Sequence, residues 1–158
     1  MLVLVSAAAT VVFLVACYYD IRHRSIPNSL PVAVTGAALV KWLVLAQLAA
    51  ALWAAAAAAI VFAVTAILFT QGWIGGGDVK LAAAAVFLLG APAAPHFLLL
   101  MALLGGVIAI AMLVGMAVAR HRAGNGAAAA EKPTLPYGVA IAVAAIATIA
   151  FDGGPWTM

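Results

Sequence analysis

From Leu2 to Phe151 the chain is a succession of long apolar runs separated by brief polar stretches. This pattern limits the possible folds more than any other feature. A run of about 17–25 apolar residues is the length a helix needs to cross a bilayer. Composition agrees: 69% of the 158 residues are hydrophobic and 7% are charged, against about 25% charged in an ordinary soluble domain. The expected fold is an all-α, polytopic membrane protein in one domain covering residues 1–158, with lipid as its solvent.

The runs define about six transmembrane helices. The first covers residues 2–19, and a polar segment with Arg, His and Pro27 follows it to Asn28. The second covers about 30–46, with Pro31 in its first turn and Lys41 and Trp42 toward its far end. There a lysine is expected to snorkel and a tryptophan to anchor at the interface. After a very short turn at Gln47, the third covers about 48–70 and includes an alanine tract that favours close helix–helix approach. The fourth, 79–90, has only about 12 residues, or about 18 Å as helix, too short to cross alone. It is expected to be a half-span starting within the protein, closed on the far side by Pro92 and Pro95. The fifth covers about 96–119, with Gly105-Gly106 as a close-packing point, and a polar loop at 120–134 leads to the sixth at 136–151. The last residues, from Asp152, form a short tail. The N-terminal run has no basic flank before it, which marks it as a retained helix rather than a signal peptide.

Charge orients these runs. With six crossings, Arg22, Arg24, Lys80, Arg120, Arg122 and Lys132 fall on one side, and only Lys41 falls near the other. The positive-inside rule makes the first side cytoplasmic and both termini external. The net charge of +3 includes no basic stripe of the kind that binds nucleic acid, and no nucleic-acid partner is expected.

Acidic residues number only four. Asp20 follows the first apolar run, and Asp78 closes the turn Gly75-Gly76-Gly77. The topology puts both at the cytoplasmic boundary. Ionisable groups at membrane depth are costly and mark function, and two carboxyls that approach each other share a proton. Such a pair can activate a water with one member and polarise a peptide carbonyl with the other. Each aspartate also has a plainer reading. Asp78 could be the N-cap of the fourth helix. Asp20 could be a headgroup-level partner of Arg22 or Arg24. The end of the first helix disfavours an anion and the start of the fourth favours one, so the expected roles are Asp78 as the ionised base and Asp20 as the protonated acid.

Other polar residues carry less. His23 is a candidate base but reads more simply as a solvated boundary residue, and His96 and His121 fall on opposite sides. Lone Cys17 reads as a packing residue. No Cys/His spacing indicates a metal, and no cofactor is expected. No serine lies in a nucleophile elbow, and the glycine run lacks the Gly-Lys-Ser/Thr ending of a phosphate loop.

Three segments together resemble a known family. Asp20-Ile-Arg22-His-Arg-Ser-Ile26-Pro27-Asn28 is similar to the first signature of type IV prepilin peptidases. Gly75-Gly-Gly77-Asp78-Val-Lys80 resembles the second, the GxGD motif of intramembrane aspartic proteases. Pro133-Thr-Leu-Pro136-Tyr137-Gly138 resembles the stretch before the family's last helix. The resemblance implies a six-helix bundle in the inner membrane, with Asp20 and Asp78 as the cytoplasmic catalytic pair. It implies cleavage of the short basic leader from prepilins or pseudopilins, ahead of an apolar helix. Larger members carry an N-terminal domain with paired Cys-x-x-Cys motifs and also N-methylate the new terminus. This sequence starts at helix one without those cysteines, so the expectation is a peptidase-only form like those of tight-adherence pili, with archaeal preflagellin peptidases as a related alternative. Two rivals belong to other classes. A proton-coupled transporter or channel subunit would carry acids near mid-membrane within an internal repeat. An inactive pilus or secretion assembly factor would keep the pair but misalign it.

Overall fold

A computed structural model describes residues 1–123 and 137–151. Within them the chain is all α. Six helices follow one another: α1 Leu2–His23, α2 Ser29–Leu45, α3 Leu48–Thr70, α4 Gly76–Leu89, α5 Ala94–Ala123 and α6 Tyr137–Phe151. Helices α1, α3 and Ala94–Val118 within α5 are long and apolar enough to cross a membrane, and α2 and α6 are shorter apolar helices. With 14 residues, α4 is short, as its sequence requires.

The exterior is that of a protein dissolved in lipid. Val3, Val11 and Leu14 of α1, Trp53 and Ile60 of α3, and Leu103, Val107 and Ile110 of α5 are all exposed. In water such a surface would associate; in hydrocarbon it costs nothing. Helical hydroxyls satisfy themselves locally, as lipid demands. Thr10 donates to the Ser6 carbonyl at 2.9 Å, Thr65 to Val61 at 2.7 Å and Thr148 to Ala144 at 2.8 Å.

The core centres on α4, which packs against α2, α3 and α6. Leu81, Ala82, Ala85, Val86, Leu88 and Leu89 are buried almost completely. Ala140, Ala144 and Ala145 of α6 are fully buried, and such small residues allow close helix–helix approach. Beyond α6 lie α1 and α5, and α1 also contacts α2. Gly105 of α5 does mark a close approach, since a Cβ there would lie 3.1 Å from the Tyr137 ring, whereas Gly106 has open space.

Three boundaries differ from the sequence expectation. First, α1 continues a full turn past residue 19, ending where Arg24 takes a left-handed φ of 50° and its N–H bonds the Asp20 carbonyl at 2.9 Å. Asp20 is therefore a helical residue, not the start of a loop. Second, α4 starts at Gly76, so Asp78 sits inside its first turn and is not the N-cap. Third, α5 extends through the first residues of the expected polar loop to Ala123. The rest of that loop, Lys132 and Pro133 among it, Pro136 at the expected start of the sixth helix, and the tail from Asp152 lie outside the described residues.

Lys41 also departs from expectation. Rather than snorkelling outward it is fully buried. Its Nζ donates to the Leu88 carbonyl at 2.8 Å and the Leu89 carbonyl at 3.3 Å, and it lies 4.3 Å from the Trp42 ring centroid. Trp42 Nε1 donates to the Phe87 carbonyl at 3.0 Å. The last carbonyls of a helix lack intrahelical partners and carry its partial negative charge. Lys41 and Trp42 supply donors there and fix the far end of α4. A positive φ of 101° at Gly90 then turns the chain toward α5.

Candidate functional site

At the opposite end of α4 the chain assembles a small polar site inside the bundle. Asp78 is the third residue of α4. Its Oδ2 accepts the Gly75 N–H at 3.3 Å, and its own N–H bonds the Gly75 carbonyl at 3.0 Å. This is the reach-back half of a capping box; Gly75 has no side chain to supply the other half. The fold of this turn places the carboxyl: a Cβ at Gly75 would lie 3.0 Å from Asp78 Oδ2.

Asp20 lies in the last turn of α1, yet its partner belongs to another helix. Its Oδ2 accepts the Val139 N–H at 3.0 Å, across 119 positions of sequence. The Gly138 backbone adds a second hydrogen bond. Both donors are at the start of α6, where N–H groups are free and the helix dipole is positive. Gly138 makes the approach possible, because a Cβ there would lie 2.8 Å from both Cγ and Oδ2 of Asp20.

Both carboxyls are buried, with relative exposures of 4% for Asp20 and 7% for Asp78, and Asp20 acts electrostatically on Asp78. Two residues far apart in sequence thus share one enclosed site at one end of the bundle. The burial removes the reading of Asp20 as a headgroup-level partner of the arginines; Arg22 and Arg24 are exposed, although the field of Arg24 reaches Asp20. The expected division of labour set the end of α1, which disfavours an anion, against the start of α4, which favours one. The start of α6 supplies Asp20 with a shorter backbone donor than Asp78 receives, 3.0 Å against 3.3 Å. Asp20 thus has two backbone donors from α6, Gly138 and Val139, where Asp78 has one from Gly75.

The remaining predicted residues divide into three groups. Ile26, Gly77 and Gly138 lie beside the pair, whereas the Tyr137 ring packs against Gly105 of α5. Ile26 is buried, and a Cβ at Gly77 would lie 2.9 Å from both its Cβ and its carbonyl oxygen. Lys80 and Asn28 flank the site without entering it: Lys80 Nζ donates to Asn28 Oδ1 at 2.8 Å on the exposed surface, and Pro27 is half-buried in the connecting bend. Arg22 and His23 point away; His23 is exposed with its ring 5.4 Å from that of Tyr19. Pro136 is outside the described residues. His96 and His121 occur in α5, near its two ends, rather than in loops. Sequence reasoning missed two participants, the Val139 N–H and the Lys41 clamp. The glycine after Tyr137 was a signal for the first; nothing in the sequence distinguished the second from an ordinary interfacial lysine.

An all-α membrane protein with a buried carboxyl pair at one end of the bundle is the class defined by this fold and site. The chain belongs to the type IV leader peptidase family, whose family model matches residues 7–110. That span contains Asp20, Asp78 and all of α2 to α4. No curated protein and no solved structure was found to match the chain.

Proposed function

We propose that this membrane peptidase is an aspartic endopeptidase that uses Asp20 and Asp78 to remove the N-terminal leader of type IV prepilins or pseudopilins. The carrying observation is the pair itself: two buried carboxyls in electrostatic contact, brought to one end of the bundle by α1, α4 and α6. In the reaction a water lies between them. Asp20, stabilised by the α6 N–H groups, accepts a proton as the water oxygen attacks the scissile carbonyl. Asp78 donates its proton to the carbonyl oxygen. As the tetrahedral intermediate collapses, the C–N bond breaks, the proton on Asp20 passes to the amine nitrogen, and Asp78 recovers its own from the oxygen. One water is consumed; the products are a carboxylate-terminated leader and a new N-terminus.

The one-sided distribution of Arg and Lys supports a cytoplasmic site in the inner membrane, where a basic leader would wait while the following apolar helix stays in lipid. Proton transport fits less well, because both acids lie at one end of the bundle and not midway along it.

Co-expression with a candidate prepilin, a basic leader joined to an apolar helix, tests this reading by gel shift. Wild-type protein should shorten the prepilin, and Asp20→Asn and Asp78→Asn should not, while both variants still insert in the membrane. Full cleavage by both single variants would sink the proposal.

A further inference from the structure

Ile26 occupies an unusual position. It lies in the connection between α1 and α2, belongs to neither helix that donates to the carboxyls, and is buried with 9% exposure. Its side chain touches two glycines from different helices. The position of a Cβ on Gly77 of α4 is 2.9 Å from Ile26 Cβ, and that of a Cβ on Gly138 of α6 is 2.6 Å from Ile26 Cδ1. Gly77 directly precedes Asp78. Gly138 lies against Asp20, whose Cγ would be 2.8 Å from the same added Cβ. The Ile26 side chain therefore extends from the backbone that carries one carboxyl to the backbone that cradles the other.

We infer that Ile26 is a positioning residue, a spacer that sets the gap between α4 and α6 and with it the separation of Asp20 from Asp78. The inference rests on the reading of these two carboxyls as a working pair. Three physical features suit Ile26 to this role. A β-branched side chain is stiff at χ1, so its length is a fixed dimension. Both contacts are with glycine, so helix backbone, not a movable side chain, meets the spacer. The contacts lie at the two ends of the side chain, Cβ and Cδ1, so shortening it releases one helix before the other. Ile26→Val removes Cδ1 and frees only Gly138; Ile26→Ala leaves the Cβ and the carbonyl oxygen against Gly77 and nothing beyond them toward Gly138.

The two carboxyls titrate as a coupled pair, with apparent values that spread further apart as the groups come closer. Infrared titration of the carboxyl bands in reconstituted protein, assigned with Asp20→Asn and Asp78→Asn, reads that spread without any substrate. Arg24, which also acts on Asp20, and Cys17, on which Asp20 acts, remain in every variant. Without its spacer, α6 closes toward α4. The spread should widen in Ile26→Ala and widen less in Ile26→Val. In parallel, kcat for a cleaved prepilin should fall roughly 10–100-fold in Ile26→Ala, the scale of an ångström-sized misplacement, with KM within about twofold. Loss of folding alone lowers the amount of active protein but moves neither the spread nor kcat per folded molecule. Should Ile26→Ala fail to fold, Ile26→Val carries the test. An unchanged or narrower spread in the folded variant overturns the spacer role, as does a raised kcat with lowered KM, the sign of a plug that had blocked entry. Cleavage retained by both aspartate variants would instead remove the peptidase reading while leaving the titration result standing.

Discussion

Asp20 and Asp78 share one buried site but are held in opposite ways. Asp78 is organised locally: its acceptor bond comes from Gly75, three residues earlier, and the same turn starts the helix that carries it. Asp20 is organised globally: its helix gives it nothing, and its donors arrive from α6, 119 positions later. A local arrangement survives wherever its turn survives. A global one exists only when α1 and α6 dock correctly. The site is thus complete only after the first and last helices of the bundle have met, which couples any activity to finished folding.

The comparison can be broken most severely at the carboxyls. Asp20→Asn or Asp78→Asn should lower leader cleavage by about 10²–10⁴-fold, the typical contribution of a positioned acid or base, measured by gel shift in membranes. If one variant alone keeps its activity, the two are not a pair.

The glycines beside each carboxyl sharpen the contrast. Gly138→Ala puts a methyl 2.6 Å from Ile26 Cδ1 and 2.8 Å from Asp20 Cγ. Overpacking of this kind costs about 1–3 kcal/mol, and it should also push α6 from Asp20 and suppress cleavage. Gly75→Ala meets only the Asp78 Oδ2 at 3.0 Å, the movable end of a side chain. Its stability loss should be under about 1 kcal/mol. Thermal unfolding in detergent, set beside cleavage, ranks the two. Equal losses would mean that both carboxyls are held alike.

A third test reaches Asp78 from far away. Lys41→Met removes the donors to the Leu88 and Leu89 carbonyls. Leaving buried acceptors unmade costs about 1–3 kcal/mol, and α4 loses its anchor. Asp78 rides on α4 and Asp20 does not, so hydrogen exchange should accelerate along α4 more than at the start of α6. The smallest effect is expected from Lys80→Ala, which breaks one exposed bond to Asn28. A surface change of this kind shifts stability by about 0.5 kcal/mol or less, readable in the same unfolding assay.

The uneven holding of the two aspartates also explains what could be read in advance. The bounds of α3 at 48–70 followed from the apolar run and its flanking polar residues, and the structure has the same helix. From sequence the start of α4 is read three residues late, because three adjacent glycines signal a turn, whereas Gly76 and Gly77 are already helical and only Gly75 is extended. The end of α1 was read short because Arg22 and His23 look like loop residues, whereas basic side chains suit a helix C-terminus. Lys41 was misread for a different reason. The rule that a lysine near a helix end reaches for water assumes that water is the best acceptor within range. Here α2 meets the C-terminal end of α4, and the Leu88 and Leu89 carbonyls are nearer.

The sequence by itself determined the solvent, the helical runs, and the two carboxyls that lipid would not tolerate without a purpose. It also determined the Asp78 turn, because three adjacent glycines and an aspartate need no distant help. Only the tertiary structure decided that α6 would solvate Asp20, that Ile26 would span from α4 to α6, and that Lys41 would turn inward. Each depends on which small residues let which backbones touch. Close packing is a property of pairs of helices, and no single run of sequence carries it.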